Sequence, residues 1–147
     1  MGDEDMRSMQ AKVPVVIGVG DVVNRSRKVE DAIEPLQLML QAITRALHDT
    51  GLADAGVASL QSTIDSIDVV RTWTWPYPDL PGLVAESLGV KPSHLHYPDG
   101  HGGNQPAKLL DEAARRISKG ESNVAIVLGG EALASCKAAT IIPRVTE

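Results

Sequence analysis

The run Ala113-Ala114-Arg115-Arg116-Ile117-Ser118-Lys119-Gly120, followed by Asn123-Val124-Ala125-Ile126-Val127-Leu128-Gly129-Gly130, changes its hydrophobic period within a few residues. Its first half closes a stripe formed by Leu109, Leu110, Ala113, Ala114 and Ile117, one face of a 3.6-residue period, and Gly120 stops it. That helix begins near Asn104, with Pro106 in its first turn. Its second half is an unbroken apolar run, Val124 to Leu128, which reads as a strand buried on both faces. A helix feeding directly into a buried strand is one half of a parallel βαβ crossover, so this stretch points to α/β architecture.

The same alternation extends backwards. Val13-Pro14-Val15-Val16-Ile17-Gly18-Val19-Gly20 reads as a first strand, rich in β-branched residues, and Asp21 to Asp31 as a loop. Leu36, Met39, Leu40, Ile43, Ala46 and Leu47 share one helical face, with Pro35 in the first turn and Gly51 just past the end. Residues 52–63 are loop or short helix. Ile64 to Trp73 is a second strand, Asp79 to Leu88 a helix with Asp79 as cap and Gly89 as stop, and His94 to Tyr97 a short third strand before the Pro98-Asp99-Gly100 turn. The expectation is a mostly parallel sheet with helices on its faces: a flexible leader over 1–12, one α/β domain over 13–147, and one last strand in the tail from Lys137 to Glu147.

Composition narrows the function. The 147 residues are 43% hydrophobic and 22% charged, with a net charge of −5, so neither disorder nor electrostatic capture of nucleic acid is expected. The lone Cys136 excludes an intrachain disulfide and a cysteine-rich zinc site. No secretory signal and no apolar run long enough to span a bilayer is found, and the expected location is cytoplasmic. Phe is absent, and three of the four aromatics lie in Trp73-Thr74-Trp75-Pro76-Tyr77-Pro78, which reads either as a sticky loop or as cover for a sheet edge.

The densest chemistry lies in His94-Leu95-His96-Tyr97-Pro98-Asp99-Gly100-His101-Gly102-Gly103-Asn104-Gln105-Pro106, a strand, a turn and a helix start. A helix N-terminus offers unpaired N–H groups and a positive dipole, and glycines let a ligand approach the backbone. The plain alternative is that the glycines make the turn and Asn104 caps the helix. His94, His96, Asp99 and His101 could hold a metal, at a spacing that departs from the His-x-His-x-Asp-His pattern of metallo-β-lactamase-like hydrolases. His101-Gly102-Gly103 echoes an esterase oxyanion loop, but no Gly-x-Ser-x-Gly elbow accompanies it. Gly18-Val19-Gly20 lacks the third glycine and the helix of a dinucleotide site. Arg115 and Arg116, beside Asp111 and Glu112, read as a solvated helix face.

Taken together, the helix ending Ala113-Ala114-x-x-Ile117-x-x-Gly120, the apolar strand and Gly129-Gly130-Glu131-Ala132-Leu133-Ala134-Ser135 resemble the N-terminal half of a thiolase, in the variant of the sterol-carrier-type subgroup. Asp49-Thr50-Gly51-Leu52, the Ile64–Val70 strand and Ala85-Glu86-Ser87-Leu88-Gly89-Val90 agree in order, so the resemblance covers residues 13–135. It implies an α/β thiolase-like N-terminal half and kinship with acetyl-CoA C-acyltransferases. The family's nucleophilic Cys lies fourteen positions before the helix Ile; counted back from Ile117 that position is Gly103. The family's Asn-Glu-x-Phe, Cys-x-Gly and Gly-His-Pro elements do not occur. The resemblance therefore implies a subgroup without the nucleophile: no catalytic residue, no cofactor and no metal, with acyl-CoA as the ligand at His101, Gly102, Gly103 and Asn104. It also implies a homodimer, or a heterodimer with a thiolase-like chain, in which a half-fold finds cover for its exposed layer; the alternative function is a non-catalytic dimerisation module.

Overall fold

The structure, a computed structural model, describes residues 12–140. After a short 3-10 turn at Val29–Asp31 come α1 (Pro35–Asp49), α2 (Asp54–Ser62), β1 (Ser66–Val69), α3 (Leu80–Leu88), β2 (His94–His96), α4 (Gln105–Ser118), β3 (Ala125–Leu128) and α5 (Leu133–Thr140). The three strands form one sheet in the order β2-β1-β3. Both pairings are parallel, with Ser66 opposite His94 and Ala125, and Asp68 opposite His96 and Val127. This is the α/β architecture with a parallel sheet that the alternating pattern predicts.

Side chains alternate across β1, so its two faces differ. Ile67 and Val69 are fully buried against Leu36, Met39 and Ile43 of α1 and Leu80 and Val84 of α3. Ser66 and Asp68 are equally buried but face α4, where Arg116 reaches both. On α4 only Leu109 and Ala113 are buried; Leu110 of the predicted stripe is 52% exposed.

The helix ends follow local chemistry. Gly51, Gly89 and Gly120 adopt the left-handed conformation that ends α1, α3 and α4. Asp79 accepts from the Gly82 N–H at 3.0 Å, as expected of a cap. The Tyr77 hydroxyl accepts from the Leu36 N–H at 3.2 Å and donates to Glu34 Oε2 at 2.8 Å, tying the aromatic loop to the start of α1. Burial pushes that phenol up to about 12, assisted by the Glu34 carboxylate. Asn104 does not cap α4: it already has helical dihedrals (φ −88°, ψ −9°), and no side-chain cap bond forms. A turn closes there instead, from the Gln105 N–H to the Gly102 carbonyl at 3.0 Å.

Two segments expected as strands take other forms. Val13–Gly20 joins no sheet among the described residues, and Val13, Val15, Val16, Ile17 and Val19 are more than half exposed. The segment lies on α1 instead. A Cβ on Gly18 would sit 2.1 Å from the Ala46 carbonyl oxygen, and one on Gly20 would sit 2.3 Å from that of Ala42. The glycines thus permit backbone-to-helix contact, and the Val19 N–H donates to Asp49 Oδ2 at 2.9 Å. The anchor is backbone, so the valines need not be buried. The tail forms α5 up to Thr140 where a strand was expected; residues 141–147 and the leader over 1–11 lie outside the described residues.

Asp65, just before β1, joins all three strands. Its N–H donates to the Val124 carbonyl at 3.0 Å, and its carbonyl accepts from the N–H groups of Ser93 and His94 at 3.0 and 3.1 Å. Its carboxylate accepts from the backbone of Asn123 and Val124 and from the Ser122 hydroxyl. Partial burial opposes ionisation, but these donors outweigh it and hold the carboxyl below the usual value near 3.8. Because the folded value is depressed, this contribution is complete above the unfolded value and is lost as pH falls through the folded one. Asp65→Ala is expected to cost about 2–3 kcal/mol in urea unfolding. Between about pH 6 and about pH 3 the parent chain should lose more stability than Asp65→Asn; equal losses would contradict this account.

Candidate functional site

In an open parallel sheet, ligands bind beyond the carboxyl ends of the strands, where backbone groups and helix N-termini converge. Here that region contains a crevice of about 430 Å³ lined by Val70, Arg71, Trp73, Pro106 and the run Val127 to Glu131. It draws on the ends of β1 and β3 and on the first turn of α4. Glycine at 129 lets the chain leaving β3 pass close to Val70 at the end of β1: a Cβ on Gly129 would sit 2.8 Å from that of Val70.

The wall facing α4 is held by paired aromatic and polar groups. Trp73 is 73% exposed, but its ring lies over His101 with centroids 4.3 Å apart. The Glu131 carboxylate accepts from the backbone N–H groups of Trp73 and Thr74 and from the Thr74 hydroxyl. It therefore clamps the aromatic loop to the end of β3. Thr72 donates to the Trp75 carbonyl at 2.6 Å, which closes the loop on itself. Arg71 is the cation of the crevice. Its guanidinium stands 4.9 Å over the Tyr97 ring and donates to the Pro98 carbonyl at 3.1 Å.

His101, Gly102, Gly103 and Asn104, singled out from sequence, lie together at the start of α4, next to this crevice through Trp73 and Pro106. Gly103 is exposed, its φ is not positive, and a Cβ there would meet nothing within 4 Å. The backbone therefore does not require glycine at that position, and a larger side chain would fit.

The four residues considered as metal ligands from sequence are not brought together as one set. His94 and His96 share one side of β2 with Asp68 of β1, while Asp99 and His101 are not part of that group. Arg116, read from sequence as solvated, instead makes a buried ion pair with Asp68, its side chain only 14% exposed. Only Arg115 of that pair behaves as a surface residue, bonded to Asp111 at 2.7 Å. The signal for the buried pair is a lone Asp alternating with Ile67 and Val69 inside an apolar strand.

The aromatic stretch divides its work. Trp75 lines a second crevice of about 520 Å³ with Ala32, Ile33, Glu34, Gln37, Gln41 and Ser135. Two of the polar groups at that crevice are already paired: the Ile33 N–H with Ser135 Oγ at 2.9 Å, and Glu34 with Tyr77.

No family model and no curated protein matches the chain. Solved structures do. A monomeric SCP2-thiolase like protein type 1 from Mycobacterium smegmatis aligns with a TM-score of 0.66 and 28% identity, over 81% of this chain and 23% of its own. A cysteine-to-serine variant of Xanthomonas campestris OleA, with bound lauric acid and lauroyl-CoA, aligns at 0.56 and 21% identity, over 78% of this chain and 33% of its own. A glutamate-to-glutamine variant of the same protein aligns at 0.54 and 22%, over 78% of this chain and 34% of its own. The chain spans a quarter to a third of the length of these structures, and the fold it shares with them is thiolase-like.

If Glu131 is the clamp of the aromatic loop, Glu131→Ala should speed hydrogen exchange at the Trp73 and Thr74 amides by about tenfold, the equivalent of one lost hydrogen bond. Amides of β1 should be unchanged. Unaltered exchange at Trp73 would remove the clamp from the account.

Proposed function

We propose that this thiolase-like α/β chain binds an acyl-CoA in the crevice at the carboxyl ends of β1 and β3, and does not itself perform thiolase chemistry. The supporting observation is Gly103. It stands where the resemblance puts the nucleophile, at the start of α4, with open space around it and no backbone need for glycine. Thiolase chemistry needs a thiolate there, activated by the helix terminus, to attack the acyl carbonyl and expel CoA. Glycine supplies no attacking atom. His101 next to it is engaged by Trp73.

What remains is a binding geometry. The α4 terminus favours a carbonyl oxygen or an anion, Arg71 adds a positive charge, and Trp73 presents an exposed ring on which a flat group can stack. Val70, Val127 and Leu128 give the crevice an apolar floor suited to an acyl chain. The OleA variant with bound lauroyl-CoA makes that thioester the natural probe. His101, Gly102, Gly103 and Asn104 are the proposed contacts.

A second reading rests on a different observation, the exposed apolar residues Val13, Val15, Val16, Ile17 and Val19. A run of this kind is an interaction surface in search of cover. It supports a dimerisation module, pairing with a second copy or with another thiolase-like chain.

Calorimetry decides between the two. The 147-residue chain should bind lauroyl-CoA saturably, with Kd of about 1–100 µM. Gly103→Leu should fold normally and weaken binding about tenfold by filling the approach to α4. Acetoacetyl-CoA thiolysis should be absent. Robust thiolysis would overturn the non-catalytic half of the proposal; no lauroyl-CoA binding alongside a concentration-dependent dimer in light scattering would overturn the binding half and favour the module.

A further inference from the structure

We propose that Asp68, His94 and His96 form a binding site for a divalent first-row transition ion, with zinc as its natural probe. The site lies on the α4 side of the sheet, where β1 and β2 run side by side. The parallel register sets Asp68 opposite His96 and Ser66 opposite His94, so two strands deliver three ligand side chains to one patch. One donor atom from each of the three lies within 4.8 Å of the others.

Two orphaned atoms carry the argument. Asp68 is fully buried, yet its Oδ1 has no hydrogen-bond partner, and neither has His94 Nε2, which is also buried as an atom. They face each other at 3.5 Å. That is too long for a good hydrogen bond between a carboxylate and a ring nitrogen. It matches two ligands on one tetrahedral ion: bonds of about 2.0–2.2 Å place neighbouring donors about 3.4 Å apart. The His94 and His96 rings, with centroids 6.0 Å apart and tilted by 49°, can both turn a nitrogen toward the same point. Leaving two polar atoms unpaired at a buried position is costly, and an ion between them satisfies both.

The surroundings fit a ligand set. Arg116 and Ser66 both bond Asp68 Oδ2, which fixes the carboxylate and leaves Oδ1 aimed at His94. Metal-binding carboxylates are oriented by such outer partners. The surplus charge of the ion is not sealed in, because the His94 side chain is 34% exposed and β2 pairs only with β1 among the described strands. Two imidazoles and one carboxylate select zinc and its neighbours over magnesium or calcium, and three protein ligands leave a fourth position for water.

The test is a zinc titration of the chelator-stripped 147-residue chain, read by calorimetry and by the visible absorption of cobalt(II) as a replacement ion. One ion per chain is expected, with His94→Gln and His96→Gln each weakening binding at least tenfold and His101→Gln leaving it unchanged. Both ligand positions are partly exposed, so circular dichroism should show the variants folded. Magnesium should give no heat. Absence of zinc binding at about 100 µM, or binding that survives both histidine substitutions, would overturn the proposal and leave Asp68 and His94 as an ion pair alone.

Discussion

One residue, Asp65, fixes the registers on which the rest of the structure depends. Parallel strands pair only through long crossovers, so nothing local sets their alignment. Asp65 supplies that alignment from a single point: its carbonyl holds the start of β2, and its N–H and carboxylate hold the turn into β3. Every later juxtaposition follows, from Asp68 beside His96 to the strand ends that open the crevice at Val70 and Gly129.

The central strand then divides the molecule. Ile67 and Val69 give α1 and α3 an apolar face to cover, and the hydrophobic core lies on that side. Ser66 and Asp68 give α4 a polar face, where Arg116 pairs with the buried carboxylate. Breaking such a pair by removing one partner costs about 3–5 kcal/mol, because the other charge stays buried. The fold thus separates two kinds of chemistry on α4. Its N-terminal turn borders an open crevice with a glycine where an attacking side chain would fit, while its C-terminal half guards a buried carboxylate.

Much of the fold was legible in the sequence because it rests on periodicity. The face of α1, the Asp79 cap, the glycine stops and the apolar β3 all follow from local patterns, and the motifs between Ala113 and Ser135 led to the thiolase resemblance that the solved structures bear out. Val13–Gly20 misled because its β-branched composition matches a strand, whereas its glycines serve contact with α1. Glu131, Tyr77 and Arg116 were not legible as to role: each acts on a partner more than forty positions away, and only the three-dimensional fold supplies that partner. The His94 and His96 pairing on one strand face could be read directly. Their meeting with Asp68 could not, since it depends on the register that Asp65 imposes.

The proposed docking site is the strand-end crevice beside α4. The most direct test is amide chemical-shift mapping of the labelled chain with lauroyl-CoA. Perturbations are expected to concentrate at Arg71, Trp73, Gly103, Gln105 and Gly129 to Glu131, with α2 silent. Perturbations centred on Ala32 to Gln41, or none at saturating ligand, would contradict it.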